Sequence, residues 1–191
     1  RIYIMKTEYK IIDNALNTND LGILNDFILG DKISWYFQQA VAYSSDTLKL
    51  YKDEENLRLV DKPLTEGQKN WNFYWTHTIF AKSMLMSSPD FWNAIQPILG
   101  ILKPKSLIRA KVNFYPRTDD IVYHKKHTDL PFEHTGALFY LNTNDGLTVL
   151  EDGTKIESIE NRILLFDASR PHHSTTTSDQ TRRMNINFNY L

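Results

Sequence analysis

Three residues in the second half of the chain have the types and the spacing of a metal site. His127 and Asp129 are two positions apart, so both side chains would lie on the same face of an extended strand. The pair His172 and His173 follows Pro171 and can supply a third ligand. Two histidines and one carboxylate form the facial triad of non-haem iron(II) sites, which leaves coordination positions open. Zinc and manganese accept the same ligands, so residue types alone do not name the metal.

A cation and a row of amides alternate along the last predicted strand. Arg183 shares a face with Asn185, Asn187 and Asn189. A guanidinium binds a carboxylate through two hydrogen bonds, so Arg183 could hold the distal carboxylate of a 2-oxo dicarboxylate whose other end chelates the metal. Arg182 is the alternative, if the apolar residues of this strand face the site instead.

The remaining histidines are interpreted differently. His124 lies near His127, and His134 begins a predicted strand, so we expect both at the rim or surface of the site rather than as ligands. His77 follows a run of aromatic residues, and we expect it to be a hydrogen-bonded histidine beside the core.

The chain that must position these residues changes character near residue 105. Apolar residues at three- and four-residue spacing predict a helix over 20–30 and an amphipathic stretch over 34–43. Segment 44–70 is polar and is predicted as a surface connection. A capping serine followed by proline predicts a helix over 88–102, which Pro97 would kink.

After residue 105 the apolar period becomes two, which is typical of strands. Asp145-Gly146 and Asp152-Gly153 are predicted as turns. The predicted strands are 108–115, 134–141, 147–150, 155–158, 162–166 and 182–190.

These elements predict a mainly β fold with N-terminal helices (α+β): a double-stranded β-helix, or jelly roll, with the helices packed on one sheet. We expect a single domain over 1–191, with 1–104 as a helical support region and 105–191 as the jelly-roll catalytic core.

Composition narrows the function classes. The chain has 191 residues, a formal net charge of −1 and no cysteine, so it has no thiolate for metal binding or catalysis. The near-neutral charge disfavours nucleic acid as a partner. Since no apolar run is long enough to span a membrane, we expect no membrane partner and a cytoplasmic location.

The segment 108–190 resembles the iron(II)/2-oxoglutarate-dependent oxygenases. The run Phe-Tyr-Leu-Asn at 139–142, the strand 161–166 and Pro171-His172 look most like the prolyl-4-hydroxylase branch. In that branch a strand tyrosine helps a basic residue hold the distal carboxylate, which implies this role for Tyr140. The ligand histidine there often follows proline directly, so the resemblance favours His172 over His173.

Two further pairs of residues resemble the nucleic-acid-dealkylating branch of the same superfamily. Asn113 with Tyr115 matches its Asn-x-Tyr, and Arg183 with Asn185 matches its Arg-x-Asn. The resemblance implies that these four side chains contact the co-substrate. The two branches agree on the cofactor and differ in substrate.

The resemblance implies a dioxygenase that uses Fe(II), 2-oxoglutarate and O2, with ascorbate as an optional reductant. It would hydroxylate a prolyl, peptidyl or small-molecule substrate and release succinate and CO2. Because Asp129 is a carboxylate, the halogenating variant, in which that ligand is missing, is disfavoured. The alternatives are a cupin-like metal-binding jelly roll that needs no co-substrate and a non-catalytic binding module.

Overall fold

The protein is described from a computed structural model that covers residues 8–30, 32–41 and 71–191. The helices of these residues are α1 (Thr18–Leu29), α2 (Pro89–Ala94) and α3 (Gln96–Leu102). The strands are β1 (Tyr9–Ile12), β2 (Tyr36–Gln38), β3 (Tyr74–Ala81), β4 (Met84–Leu85), β5 (Leu107–Pro116), β6 (Thr135–Tyr140), β7 (Asn144–Val149), β8 (Lys155–Ser158), β9 (Arg162–Asp167), β10 (His173–Ser174) and β11 (Arg182–Tyr190).

The strands form two antiparallel sheets. The larger sheet has the order β1-β9-β6-β11-β5-β3-β2, and β4 pairs with β3 at one end. The smaller sheet has the order β10-β7-β8. Two antiparallel sheets with helices on the larger one form a jelly roll, so the predicted fold class is confirmed.

The helices pack on the apolar face of the larger sheet. Leu24 of α1, Phe91 of α2 and Ile98 of α3 are fully buried in one cluster with Val112 of β5 and Ile186 of β11. Burial of this apolar surface is the main force that holds the helices against the sheet.

Both faces of β11 are buried, and the two faces differ in chemistry. The odd-numbered positions carry polar side chains, and the even-numbered positions from Met184 to Tyr190 belong to the apolar cluster beneath the helices. The polar set consists of Arg183, Asn185, Asn187 and Asn189. The polar last strand of the sequence is therefore the wall of an interior site rather than a solvated surface.

Two helix starts agree with their capping residues. Asn17 precedes α1, and its side chain accepts a hydrogen bond from the Asp20 amide at 3.0 Å, so this helix begins two residues earlier than predicted. Ser88 caps α2 by accepting from the Phe91 amide at 3.1 Å, as predicted. The predicted 88–102 helix is divided at Ile95, because Pro97 in the first turn of α3 has no amide hydrogen to continue the ladder.

Several elements differ from the prediction. The amphipathic 34–43 stretch holds the short strand β2, and its partner is the aromatic strand β3, which the sequence did not predict. β1 and β4 were not predicted either, so the region before residue 105 also contributes strands to the larger sheet. The predicted connection 44–70 lies outside the described residues.

Asp145-Gly146 was wrongly predicted as a turn, because both residues lie inside β7. The Asp145 carboxylate accepts hydrogen bonds from the Thr177 hydroxyl at 2.7 Å and from the Ser178 amide at 2.8 Å, which holds this residue in the strand. The turn predicted at Asp152-Gly153 is present, and Gly153 has a φ of 87°.

No helix among the residues described above is long and apolar enough to cross a membrane.

Candidate metal centre and co-substrate site

A backbone bridge brings the two candidate histidine ligands together. The amide of His127 donates to the carbonyl of His172, and the amide of His172 donates to the carbonyl of His127, both at 2.9 Å. Directly opposed residues of an antiparallel pair point to the same face, and the two ring centroids are 4.8 Å apart. Asp129 extends the pairing through its amide, which donates to the Ala168 carbonyl at 3.0 Å.

This register separates His172 from His173. His173 lies in β10 opposite Val149, and its Nδ1 is 3.0 Å from the carbonyl oxygen of His124. His127, Asp129 and His172 each offer one ligand atom, and these atoms all lie within 4.8 Å of one another. The structure thus groups His172, and not His173, with the other two residues.

The Nε2 atoms of His127 and His172 are suited to bind a metal. Nδ1 of His127 is 3.2 Å from the carbonyl oxygen of Lys125, and Nδ1 of His172 is 3.0 Å from that of Arg170. A carbonyl can only accept, so each Nδ1 carries the hydrogen and each Nε2 has a lone pair for a cation. Such partners of the second nitrogen orient the imidazole and raise its basicity as a ligand.

Two amides and one guanidinium hold the Asp129 carboxylate. Its Oδ2 accepts from Nδ2 of Asn187 at 3.0 Å and from Nδ2 of Asn189 at 2.8 Å. Its Oδ1 lies 3.3 Å from Nη2 of Arg109 and 3.9 Å from Nε2 of His127. One oxygen is therefore fixed by amides, and the other faces the histidine.

The electrostatics favour the protonation states that a metal requires. Burial lowers the pKa of His127 to about 4, and nearby His172 acts in the same direction. Burial alone would raise the pKa of Asp129, but His172 and Arg109 outweigh it and hold that pKa well below its usual range. At neutral pH the site therefore holds a neutral His127 and an ionised carboxylate, so these two ligands bind a metal without releasing protons.

Arg183 is a fully buried cation on the same face of β11 as the amides that hold Asp129. Its Nε donates to the Ser158 hydroxyl at 2.9 Å, its Nη2 to the Thr148 hydroxyl at 3.0 Å, and its Nη1 to the Thr175 carbonyl at 3.4 Å. Among the described residues, no carboxylate forms an ion pair with it. A buried guanidinium held only by neutral groups is costly unless an anion joins it, so this surrounding fits the carboxylate end of a co-substrate.

The tyrosines named from the sequence contact this guanidinium. Tyr115 lies directly opposite Arg183 in the β5–β11 ladder, with its ring centroid 5.3 Å from the guanidinium carbon. The Tyr140 ring lies 5.9 Å from the same carbon, and its hydroxyl donates to Thr148 at 2.8 Å. Arg183 and Tyr140 therefore share the Thr148 hydroxyl.

Asn113 and Asn185 lie between the guanidinium and the triad along the same two strands. They are opposed in the ladder, and Nδ2 of Asn113 donates to Oδ1 of Asn185 at 2.9 Å. Oδ1 of Asn113 is buried and has no hydrogen-bond partner. An unpartnered buried amide oxygen between a cation and a metal triad fits a polar ligand that spans the two.

Arg182 does not join this group. It is only partly buried, and its backbone carbonyl accepts from the Asn142 side chain at 2.9 Å. The alternation of β11 places it on the face opposite Arg183.

His124 and His134 were wrongly expected at the rim or surface, because both are buried. The His124 ring stacks on Tyr115 at 5.3 Å, and burial lowers its pKa to about 3. Nε2 of His134 is 3.3 Å from Nδ2 of Asn189, so it adjoins the residues that hold Asp129. His77 is hydrogen-bonded through both ring nitrogens, to Ser34 and Ser87, as predicted.

The sequence interpretation missed two cations on β5. Arg109 contacts Asp129, and Nζ of Lys111 donates to the Tyr74 hydroxyl at 3.2 Å. Burial and, to a smaller extent, nearby Arg109 lower the pKa of Lys111 to about 8. Both residues share the alternation of Asn113 and Tyr115, and that alternation could have identified them.

A cavity of about 550 Å³ lies beside the triad. His127, Thr128 and Asp129 line it on one side, and a wall of the cavity comes from β2 and the residues that follow it. A cavity of this volume is in the range of small-molecule sites.

The sequence matches no protein-family model and no curated protein. Solved structures do resemble the fold. HygX from Streptomyces hygroscopicus, with nickel and 2-oxoglutarate bound, is 9% identical, with a TM-score of 0.58 over 96% of this chain and 82% of that chain. A prolyl hydroxylase from Trichoplax adhaerens, in complex with a hypoxia-inducible-factor peptide, is 14% identical, with a TM-score of 0.56 over 97% and 84%.

A viral collagen prolyl hydroxylase from Paramecium bursaria Chlorella virus-1, in its 2-oxoglutarate complex, is 11% identical, with a TM-score of 0.50 over 95% and 94% of the two chains. The chain therefore has the fold of the iron(II)/2-oxoglutarate-dependent oxygenases, and the resemblance inferred from sequence is confirmed at the level of the fold. Within that fold, His127, Asp129 and His172 form a group that could hold a metal ion.

Proposed function

We propose that the protein is an Fe(II)- and 2-oxoglutarate-dependent dioxygenase that hydroxylates a small-molecule or peptidyl substrate. The observation that carries the proposal is Arg183: a fully buried guanidinium, without a carboxylate partner among the described residues, on the sheet face that also holds the metal triad. A cupin-like site without co-substrate has no need for such a cation.

The proposed metal ligands and the proposed carboxylate-binding residue lie at two ends of the site. His127, Asp129 and His172 would hold Fe(II) on one side, which leaves positions for a chelating 2-oxo acid and O2. Arg183 would bind the distal carboxylate, assisted by the Thr148 and Ser158 hydroxyls.

Side chains between these ends would orient the co-substrate. Asn113 and Asn185 would donate to or accept from its polar atoms, and the Tyr115 and Tyr140 rings would close the sides of its site. When bound, Fe(II) and 2-oxoglutarate would supply O2 activation and oxidative decarboxylation, so that a substrate C–H is hydroxylated and succinate and CO2 leave. The buried strand faces would exclude bulk water from this reaction.

The proposal is tested by succinate formation from 2-oxoglutarate with purified protein, Fe(II) and O2, with and without candidate substrates. We expect Fe(II)-dependent succinate that is lost in His172→Ala and retained in His173→Ala, because only His172 lies with the other ligand atoms. Fe(II)-dependent turnover that is equal in both variants would contradict the ligand set. Absence of any Fe(II)-dependent 2-oxoglutarate turnover or binding would contradict the proposed function.

A further inference from the structure

Two cations lie in the cavity beside the triad, and apart from the contact of one of them with Asp129 neither is assigned a role in holding the metal or the co-substrate. Arg109 and Lys111 line this cavity of about 550 Å³ together with Tyr74 and Gln38. The two cations occupy alternate positions of β5, so both point from the sheet toward the same side.

Their hydrogen-bonding capacity is only partly used. Nζ of Lys111 donates to the Tyr74 hydroxyl at 3.2 Å and forms no ion pair with any carboxylate that the structure describes. Arg109 donates from Nε to Asn189 at 3.0 Å and approaches Asp129 with Nη2 at 3.3 Å. Within the part of the chain that the structure describes, two ammonium hydrogens of Lys111 and the Nη1 group of Arg109 are left for a ligand.

The charges of the described residues that line the cavity are not balanced. Asp129 is the one carboxylate among the described lining residues, and it is a candidate metal ligand. A divalent metal would more than neutralise it, and the charge of a bound 2-oxo dicarboxylate would be shared between that metal and Arg183. The charges of Arg109 and Lys111 would then remain uncompensated, which favours one more anion in the cavity.

We propose that Arg109 and Lys111 bind an anionic group, a carboxylate or a phosphate, of a small-molecule substrate next to the metal. This inference rests on the proposed function for the substrate role, whereas the anion site itself can be measured without turnover. The cavity volume is in the range of small-molecule sites.

The anion site is tested by calorimetric titration of the full chain with benzoate, with its uncharged isostere benzamide and with inorganic phosphate. Each titration is done on metal-free protein and on protein with Mn(II) and 2-oxoglutarate. We expect benzoate or phosphate to bind and benzamide not to bind, because the two cations would bind a negatively charged group and not a neutral one. Binding of benzoate alone assigns a carboxylate, and binding of phosphate alone assigns a phosphate.

Matched variants locate the anion. Lys111→Gln is expected to weaken its binding about tenfold or more, as loss of one charge-assisted hydrogen bond implies, with Mn(II) affinity not reduced, because Lys111 forms no hydrogen bond to the triad and its charge opposes a bound cation. Lys105→Gln, at an exposed lysine outside the cavity, should bind as the wild type does.

Three results would overturn the inference. The first is equal anion binding by wild type and Lys111→Gln. The second is loss of anion binding when 2-oxoglutarate is added, because the anion would then occupy the co-substrate site. The third is the absence of selective anion binding, observed either as equal binding of benzoate and benzamide or as no binding of benzoate or phosphate.

A substrate screen tests the same proposal independently of the titrations. Candidate acids, each paired with its neutral amide or ester, are tested for stimulation of succinate formation. We expect the acid of a pair to stimulate turnover and the neutral form to lose at least about tenfold. A substrate, peptide or otherwise, that works equally well without its charge would overturn the proposal while leaving the proposed dioxygenase function intact.

Discussion

The Asp129 carboxylate is fixed in place by Asn189, whose Nδ2 donates to Oδ2 at 2.8 Å. The same asparagine accepts from Nε of Arg109 at 3.0 Å and adjoins His134, so it is itself held from two sides. One carboxylate oxygen is thereby kept away from the metal position, and the other is directed toward His127.

Removal of this support should weaken metal binding without unfolding the protein. We expect Asn189→Ala to lower Mn(II) affinity about 10- to 100-fold, the usual effect of losing a partner that orients a ligand. Calorimetric titration measures it, and Asn93→Ala on the exposed surface of α2 is the matched control. Equal affinities in the two variants would show that the amide does not orient the ligand.

Gly146 allows β7 to pass close to Arg183. An added Cβ would meet the Arg183 side chain and lie 2.7 Å from the Thr176 carbonyl oxygen. We expect Gly146→Ala to reduce the free energy of unfolding by about 1–3 kcal/mol through overpacking and to weaken 2-oxoglutarate binding.

Gly22 gives the control for that substitution, because it is an exposed position of helix α1 at which an added Cβ meets nothing within 4 Å. Gly22→Ala should stabilise the protein by about 0.5–1 kcal/mol. Urea unfolding compares the two variants, and a Gly146→Ala protein as stable as the wild type would contradict the close approach.

Buried His124 should make the metal-free protein less stable in acid. Burial, together with nearby Arg183 and His127, lowers the pKa of His124 in the folded protein to about 3. In the unfolded chain the pKa of a histidine is about 6.5. Between these values the unfolded chain binds the extra proton, so the free energy of unfolding falls as pH falls from about 6.5 and is unaffected by this group at higher pH.

The variant His124→Gln isolates that contribution. One proton corresponds to a slope of about 1.4 kcal/mol per pH unit, so the variant should show a slope shallower by about that amount between pH 6 and 4. Urea unfolding at a series of pH values measures it. Parallel curves for wild type and variant would mean that His124 takes up its proton in the folded state.

The jelly roll and the strands after residue 105 could be predicted from sequence because period-two alternation is a local property. The bounds of β5 and β11, the strands that carry Asn113, Tyr115, Arg183 and Asn185, were predicted to within a residue. The strands β1 to β4 were not predicted, since their pairing with distant strands, such as β1 with β9, decides their conformation.

The registers that sequence left open depend on the same long-range pairing. His172 and His173 are equivalent until the backbone bridge to His127 sets which one faces Asp129. The local sequence does not show whether Arg182 or Arg183 faces the site. Because the helices pack on the apolar face of β11, the polar face with Arg183 is directed inward.

The burial of His124 and His134 follows from contacts with β5 and β11 that no local pattern encodes. The alternation of β5 predicts that Arg109 and Lys111 lie on one face of the strand. Only the nearby carboxylate and the cavity show that these two cations adjoin the site.

The central claim is that Arg183 and the triad of His127, Asp129 and His172 bind opposite ends of one 2-oxo dicarboxylate. The most direct measurement is calorimetric titration of 2-oxoglutarate into wild type, Arg183→Gln and Arg182→Gln, each with and without Mn(II) under anaerobic conditions. We predict metal-dependent binding that Arg183→Gln weakens about 30- to 1,000-fold, corresponding to about 2–4 kcal/mol, while Arg182→Gln binds as the wild type does. Binding that is equal with and without Mn(II), or equal in Arg183→Gln and wild type, would contradict the claim.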